Sequence, residues 1–239
     1  MKKLRFLMIA LVTMFGFISC DKDDCNHYDH SADLVGTWTC LREDFAEALV
    51  IKADGSVLST GSVFGEEYWE DVKGNIVLED GNITMTFEDG DNYKGHFDII
   101  PGMAFSICNA EGRRFTYDYC ANDLSDEIVG MWVCNDGLTD GITIMSYSDN
   151  GKMTITTAAA LGTNDPLVKR ESDYVVVGDL MFTQLPAANV EGQPMYTAAR
   201  MTYTPNGTSA GDIMTHKKYF PSGNGLKESV MSFLRIKQT

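Results

Sequence analysis

An eight-residue motif occurs twice in this chain and constrains its fold more than any other sequence feature. Residues 33–40 read DLVGTWTC, and residues 127–134 read EIVGMWVC, 94 positions later in a chain of 239 residues. Each copy has an acidic residue, an aliphatic residue, Val-Gly, a variable residue, Trp, a second variable residue and Cys. The repeat predicts two units of similar construction, each within the usual size range of a small domain.

The motif is predicted to be a β-strand with one buried face. Side chains alternate between the two faces of a strand, so the Gly, Trp and Cys of each copy share a face. Cys is among the most buried residue types, and Trp brings a large apolar surface. The inward residues are predicted to be Gly36, Trp38 and Cys40 in the first copy and Gly130, Trp132 and Cys134 in the second.

Nearly all the remaining signal is that of short antiparallel strands. Asx-Gly pairs, the strongest short-range hairpin signal, separate many of the alternating runs. The predicted strands are 35–42, 45–52, 56–60, 62–69, 75–79, 82–88, 92–100, 103–108 and 113–119, then 128–135, 141–147, 151–157, 173–178, 179–185, 195–203, 211–219 and 229–237. Leu226–Leu234 could also be helical, but its alternation favours a closing strand. The fold class is therefore all-β, with two small antiparallel meander barrels of about eight strands each; a single long barrel is the alternative.

The N-terminus has the layout of an export signal. Lys2, Lys3 and Arg5 precede the apolar run Phe6–Ile18, which is too short to span a bilayer. Ser19-Cys20 after this run resembles the cleavage site of bacterial lipoproteins, which implies that residues 1–19 are removed and that Cys20 carries the lipid, palmitate included. The alternative is ordinary cleavage beside an unrelated Cys.

The acidic sequence after Cys20 indicates where such a lipoprotein would be located. DKDD at residues 21–24 is similar to the acidic tetrad of Bacteroidota outer-membrane lipoproteins. The resemblance implies a lipid anchor in the outer membrane, with the protein on the cell surface; the periplasmic leaflet is the alternative. Residues 20–32 are predicted to be a flexible acidic tether, because they are polar and have no periodicity.

The repeated strand also resembles the first strand of lipocalin-like (calycin) barrels, which begin with Gly-x-Trp. This resemblance implies two such domains, at 33–122 and 127–239, with Asp123–Asp126 between them. It further implies that the Trp closes the barrel floor beneath an Arg of the last strand, which would pair Trp38 with Arg114 and Trp132 with Arg235. The chain departs from the family because each copy is short and the Thr-Asp-Tyr motif is missing.

Charge and cysteine content exclude or limit several functions. Without the three basic residues of the signal, 16 basic residues face 34 acidic ones, a formal charge of −18 that opposes nucleic-acid binding. Five cysteines follow Cys20, and no CxxC motif supports a zinc site. Cys108 and Cys120 flank a predicted hairpin in which they do not face one another, which argues against a disulfide between them.

The sequence contains no recognisable catalytic motif, so we expect a protein that is not an enzyme and has no cofactor or metal. None of the four His residues stands beside a Ser or Cys in a recognisable nucleophile setting. Metal-capable residues at 25–30 belong to the predicted tether, and Asp89–Asn92 is predicted to be an acidic hairpin turn because the spacing of a complete calcium loop is missing.

Methionine is concentrated in the second repeat. Eight Met residues lie there, against two in the first repeat. Met is adaptable and is frequent at surfaces that bind apolar molecules, so a pocket for a small apolar or amphipathic ligand is predicted, with core filling as the alternative. The candidate ligand-binding residues are Trp132, Met145, Met153, Met181 and Met201. A second hypothesis is a glycan-binding or protein-interaction lipoprotein with filled barrels, in which Trp69 stacks on a sugar beside Glu66, Glu67 or Glu70.

Overall fold

Two closed antiparallel barrels make up the fold. The computed structural model describes residues 30–42, 45–63, 70–135, 142–158, 168–185, 195–206, 211–222 and 225–236. The first barrel is formed by β1 (Gly36–Leu41), β2 (Phe45–Ile51), β3 (Ser56–Val63), β4 (Glu70–Glu79), β5 (Asn82–Phe87), β6 (Asn92–Ile100), β7 (Ala104–Asn109) and β8 (Arg114–Cys120). Each strand pairs with its sequence neighbours, and β8 pairs with β1 to close the barrel.

The second barrel repeats this order. It is formed by β9 (Gly130–Asn135), β10 (Ile142–Tyr147), β11 (Lys152–Ala158), β12 (Val168–Val177), β13 (Leu180–Leu185), β14 (Met195–Thr204), β15 (Ile213–Ser222) and β16 (Gly225–Arg235). β16 pairs with β9. The predicted pair of eight-stranded barrels is confirmed, the single long barrel is wrong, and the closing segment is a strand rather than a helix.

A short helical segment precedes the first strand of each barrel. A 3₁₀ turn spans Ala32–Leu34 and the helix α1 spans Ser125–Ile128. Neither was predicted, because three or four residues are too few to produce a helical period. No helix in the described ranges is long and apolar enough to cross a bilayer.

Three strands begin four or five residues earlier than predicted, and one of them is β16, which starts at Gly225 rather than 229. β4 starts at Glu70 rather than 75, and most of the predicted strand 62–69 lies outside the described residues. β12 starts at Val168 rather than 173, and its first four residues are exposed. The exposed start of β12 shows no alternation between polar and apolar residues, whereas the extension of β4 has the buried Val72 between the exposed Asp71 and Lys73.

The barrel interiors are the two main hydrophobic cores. The first contains Trp38, Phe105, Tyr117 and other residues that alternate along all eight strands. The second contains Trp132 with Tyr147, Phe233 and several Met residues. As predicted, the Gly, Trp and Cys of each motif share the inner face, and Cys40 and Cys134 are buried.

A third core lies between the two barrels. Ala46 and Ala48 on the outer face of β2 are buried against Leu180, Phe182 and Ala198 of the second barrel. The alanines allow the two walls to approach closely. β2 is therefore buried on both faces, which the alternating sequence alone does not indicate.

Arg200 connects the two barrels at this contact through ion pairs and a hydrogen bond. Its Nη1 lies 2.7 Å from Asp118 Oδ2 of β8, and its Nη2 donates to the backbone oxygen of Thr39 at 3.2 Å. Asp179 Oδ2 lies 3.4 Å from the Arg200 Nε. The guanidinium thus joins carboxylates from both barrels.

Three cysteines in the described part of the chain, Cys40, Cys108 and Cys120, are free thiols. Cys108 lies opposite Arg114 in the β7–β8 hairpin, and this register explains why it does not reach Cys120. Burial, followed by the charge of Glu47, raises the pKa of Cys40 to about 12, so this thiol stays protonated.

Candidate functional site: the interior of the second barrel

A tryptophan closes one end of each barrel. Trp38 and Trp132 are completely buried. Trp38 Nε1 donates to the Leu34 carbonyl at 2.7 Å, and Trp132 Nε1 donates to the Ile128 carbonyl at 2.7 Å. The aliphatic residue of the motif therefore provides the acceptor from the short helical segment, and its own side chain is buried beneath the barrel.

The motif glycine makes room for the side chain beside the Trp. Gly36 has φ +142° and Gly130 has φ +133°, a region that other residues rarely adopt. A Cβ at Gly36 would lie 2.7 Å from Cε2 of Tyr119, and one at Gly130 would lie 3.5 Å from Nε of Arg235. The backbone conformation therefore favours glycine at both positions, and lack of space also excludes a larger residue at Gly36.

Arg235 lies over Trp132, as the lipocalin resemblance implied. The guanidinium carbon is 5.2 Å from the ring centroid. Nη2 donates to the Val129 carbonyl at 2.5 Å, and Nη1 lies 3.4 Å from Asp212 Oδ2. The backbone N–H of Asn206, followed by other donors, lowers the pKa of Asp212, so this carboxylate remains charged beside the arginine.

The corresponding prediction for Arg114 is wrong. Arg114 lies on the outer face of β8, more than half exposed, where its Nη1 is 3.2 Å from Asp98 Oδ2. Strand alternation places it with Thr116 and Asp118, away from the core. Tyr119 occupies the place of Arg235 instead, with its ring centroid 5.0 Å from that of Trp38.

The predicted ligand-binding residues are brought together in the core of the second barrel. Trp132, Met153, Met181 and Met201 are buried in one cluster, and Met145 packs against it. The register pairs Met145 with Trp132 and with Ile155, and Tyr147 with Met153, so both Met residues flanking the β10–β11 turn face inward. Whether they contact a ligand remains a prediction.

The first barrel has a polar cluster above its Trp, and this cluster is internally satisfied. Ser59 Oγ donates to Glu47 Oε1 at 2.6 Å, and the Tyr117 hydroxyl donates to Glu47 Oε2 at 2.6 Å. Burial, followed by the Glu47 charge, raises the pKa of Tyr117 well above its ordinary value. Both carboxylate oxygens are therefore occupied by protein donors.

The end of the first barrel opposite Trp38 is covered by side chains. The guanidinium of Arg42 lies 5.7 Å from the ring centroid of Phe45 and 5.8 Å from that of Phe115. The two rings meet edge to face at 6.1 Å. Together with the Glu47 cluster, these contacts fill the upper part of the barrel.

The second barrel has His216 where the first has Ile107. Tyr119 pairs with Trp38 in the first barrel and Arg235 pairs with Trp132 in the second, so these two positions are equivalent. Counting residues from them through the register of the last two strands of each barrel makes His216 equivalent to Ile107. His216 pairs with Met201 on one side and Met231 on the other, and its ring centroid lies 4.6 Å from that of Phe233. An imidazole is thus enclosed by apolar side chains.

One nitrogen of this imidazole is buried without a partner. His216 is 4% exposed, and its Nε2 has no hydrogen-bond partner within the described structure. Burial, followed by the charge of Lys218, lowers the pKa of His216 to about 3, so the ring is neutral at physiological pH. A buried polar atom left unpaired costs roughly 1–3 kcal/mol, and such atoms are rare in folded proteins.

Lys218 lies two residues further along the same face of β15. It pairs with Ala199 of β14 and Ser229 of β16, and it is partly buried. Among the described residues, no carboxylate forms an ion pair with its amine, whereas the neighbouring outward Lys217 lies 2.9 Å from Glu228. Burial lowers the pKa of Lys218, and the nearby Cys134 opposes this effect.

Sequence reasoning missed His216 and Lys218, although a signal for them was present. Met214, His216 and Lys218 alternate along one strand, so once Met214 is placed inside, the other two must follow. Both polar residues occupy positions where a filled core would have apolar side chains.

A separate cleft lies on the outer wall of the second barrel. Its volume is about 320 Å³, and the register places most of its polar lining on the outer face of β10–β12. It is open to solvent. The lining residues are Ser146, Tyr147, Ser148, Lys152, Met153, Thr154 and Glu171.

Several predicted sites lie outside the described residues. Cys20, the metal-capable residues 25–29 and the aromatic segment 64–69 with Trp69 all belong to this part of the chain, and the Glu70 side chain is likewise not described. The Asp89–Gly90 segment is the predicted hairpin turn, in which Asp89 Oδ1 accepts from the Asp91 backbone N–H at 3.0 Å. No group of three or more His, Cys, Asp and Glu residues that could hold a metal ion occurs in the described ranges.

Comparisons with known proteins do not assign a family. No protein-family model and no curated protein match the sequence. Among solved structures, the chain is similar to a DUF3598-family protein of unknown function from Nostoc punctiforme, with 10% identity over 86% of this chain and 97% of that chain and a TM-score of 0.25. It is also similar to a porin-like protein from Bacteroides uniformis, with 8% identity over 84% of this chain and 95% of that chain and a TM-score of 0.20. At such scores neither likeness bears on function.

Proposed function

We propose that this chain is a cell-surface lipoprotein of the outer membrane that binds, without catalysis, a small apolar or amphipathic molecule inside its second barrel. The observation that carries the proposal is the unpartnered Nε2 of His216 within an apolar interior. A ligand with a polar end would satisfy this nitrogen, and the free energy now lost to desolvation would contribute to affinity.

The surroundings of His216 support a ligand with an apolar part. Met201 and Met231 flank the imidazole, and Met145 and Met214 belong to the same core. Methionine side chains are flexible enough to repack around molecules of different shape. Apolar burial contributes about 0.8 kcal/mol for each buried CH₂ group.

The first barrel has a different role in this proposal. Its interior carboxylate is fully hydrogen-bonded and Arg42 covers the end opposite Trp38. We therefore assign the first barrel a supporting role, as a filled domain between the tether and the binding barrel.

Native mass spectrometry of delipidated protein purified from its own host tests the binding function. The expected result is a mass above that of the polypeptide, which returns to the polypeptide mass after extraction with organic solvent. A polypeptide mass alone, together with no binding of any apolar compound added later, would refute the proposal.

Lipid anchoring requires a separate test. Cys20→Ala is expected to release the protein into the soluble fraction, because a single soluble body is held only by its lipid. Cys25→Ala is the matched control and is expected to remain with the membrane. If the Cys20 variant stays membrane-bound, the lipoprotein assignment is wrong; protease accessibility on intact cells distinguishes the surface from the periplasmic leaflet.

The outer cleft of the second barrel favours glycan binding as a second candidate function. Ser146, Thr154, Lys152 and Glu171 offer hydroxyl, amine and carboxylate groups around a volume of about 320 Å³. A glycan array probed with the delipidated protein tests this alternative, with Glu171→Gln as the variant and Glu111→Gln as an exposed control. Specific binding that Glu171→Gln abolishes would favour it over the barrel ligand.

A further inference from the structure

Two thioether side chains flank the unpartnered imidazole nitrogen inside the second barrel. His216 of β15 pairs in register with Met201 of β14 and with Met231 of β16. Directly paired residues lie on the same face of a sheet, with Cβ atoms roughly 4.5–5.5 Å apart. Both sulfur atoms can therefore reach the space beside the imidazole. Met214 precedes His216 by two residues on the same inner face and is also buried.

No other described side chain of this interior satisfies the His216 nitrogen. Ser172, Tyr174 and Thr183 belong to the same inner face, but they lie on β12 and β13. The hydroxyls of Ser172 and Tyr174 donate to backbone carbonyls at 3.1 and 2.7 Å. Because burial lowers the pKa of His216 to about 3, a proton does not compete for the ring at neutral pH. The Nε2 atom can therefore bind a metal ion without giving up an existing hydrogen bond.

The chemistry of these three side chains selects a soft ion. Thioether sulfur and imidazole nitrogen suit Cu(I), whereas zinc takes thiolate, imidazole and carboxylate ligands, and calcium and magnesium take oxygen. Lys218 follows His216 by two residues on the same face, and its charge acts on the imidazole. That charge repels a divalent ion more strongly than a monovalent one, which also favours Cu(I).

We infer that the inner face of β14–β16 forms a Cu(I) site, with His216 Nε2 and the sulfur atoms of Met201 and Met231 as its ligands. The inference goes beyond the proposed function and does not depend on it, since it needs only these three side chains. Methionine is flexible enough for both sulfur atoms to close on an ion while the strands stay in place. The nitrogen accepts one partner at a time, so the ion and the polar end of an organic ligand exclude each other there.

Anaerobic titration with Cu(I), against bicinchoninate as a competing chelator, tests the inference. The protein used is a soluble variant in which Ser replaces four thiols that would compete for the ion: Cys20, Cys25, Cys108 and Cys120. Because Cu(I) is diamagnetic, the ¹³C-labelled methyl groups of the methionines report where it binds. One equivalent is expected to shift the signals of Met201 and Met231 and to leave the exposed Met103 unchanged.

Met231→Leu and Met103→Leu form a matched pair of variants. Met231→Leu removes one sulfur at nearly constant volume and is expected to weaken Cu(I) binding about 10-fold or more. Met103→Leu changes an exposed methionine of the first barrel and is expected to bind as the parent protein does. His216→Leu is expected to abolish the site. Lys218→Leu is expected to tighten binding about 5-fold or more, because it removes a nearby positive charge.

The outcomes decide the inference without deciding the proposed function. Equal shifts of Met103 and Met201, or an affinity that Met231→Leu and His216→Leu both leave unchanged, would overturn the Cu(I) site. Binding of Zn(II) as tight as that of Cu(I) would overturn it as well, because the soft ligands would then select nothing. Thermal unfolding verifies that each variant folds; if His216→Leu does not, the partly buried Met231→Leu decides. The organic ligand is tested separately by the mass spectrometry described above.

Discussion

His216 is a titratable side chain that the fold keeps neutral. It is buried between Met201 and Met231, and its pKa falls to about 3 because of burial and the nearby Lys218. In the unfolded chain its pKa would be about 6.5. Between these two values the unfolded state binds one more proton than the folded state, so stability falls as the pH falls.

This linkage predicts a pH effect on stability. From pH 7 to pH 5, His216 is expected to reduce the free energy of unfolding by about 2 kcal/mol. Urea unfolding of wild type and His216→Met at both pH values measures it; the variant should lose about 2 kcal/mol less than the wild type. His96→Gln is the control for replacement of an exposed histidine. Identical pH dependence in wild type and His216→Met would contradict the buried neutral state.

Arg235 and Arg114 offer a second comparison between single residues. Arg235 stacks on Trp132 and donates to the Val129 carbonyl, whereas Arg114 lies in an exposed ion pair. Arg235→Met is expected to reduce the free energy of unfolding by about 2–3 kcal/mol. Arg114→Met is expected to cost less than about 0.5 kcal/mol. Equal losses in urea unfolding would mean that Arg235 does not hold the barrel floor.

The turn between β12 and β13 determines how closely the barrels approach. Gly178 has φ +63°, and a Cβ there would lie 2.9 Å from both Cys120 Sγ and Thr37 Cγ2 of the first barrel. Its carbonyl accepts from the Leu124 backbone N–H at 3.0 Å. This turn therefore contacts both the first barrel and the segment that joins the barrels.

Gly178→Ala and Gly102→Ala separate the contact from backbone strain. Gly102 has φ +67° but no atom within 4 Å of its would-be Cβ, so both variants carry the left-handed penalty of about 1–2 kcal/mol. Gly178→Ala is expected to cost about 1–3 kcal/mol more, because it also overpacks the interface. Calorimetric unfolding measures the difference. Equal destabilisation by the two variants would show that the contact between the barrels accommodates the added methyl group without a loss in the free energy of unfolding.

The strands were largely predictable because each depends on local sequence. Hairpin turns such as Asp89-Gly90 and Asn150-Gly151 separate alternating runs, and the alternation identifies the inner face without knowledge of the partner strand. The barrel contact was not predictable in this way. Ala46 and Phe182 lie on outer faces that are buried only because a second barrel covers them.

The candidate site was predictable only in its apolar part. The Met residues were predicted to line the interior because many of them occur in the second repeat, and the resemblance correctly placed Arg235 over Trp132. Arg114 was misplaced because a short motif does not specify the phase of a distant strand. His216 and Lys218 were missed because a polar residue in a strand is ordinarily read as facing solvent, and only the register through Met214 places them inside.

At the scale of the whole molecule, one plan of construction has two different interiors. Both barrels have a helical segment, a Trp floor and a glycine beside it. In the first barrel Ser59 and Tyr117 occupy the Glu47 carboxylate; in the second, the His216 Nε2 lacks a partner. This difference is the reason that the proposed binding is assigned to the second barrel.

Methyl NMR of the methionines tests the central claim most directly, because the two barrels then report separately. Protein labelled with ¹³C at the Met methyl groups is titrated with dodecanoate. The account predicts stoichiometric shifts for Met201, Met231 and Met145 of the second barrel, with Met85 of the first barrel and the exposed Met103 unchanged. Shifts confined to Met103, or no shift of the second-barrel signals at saturation, would contradict binding inside this barrel.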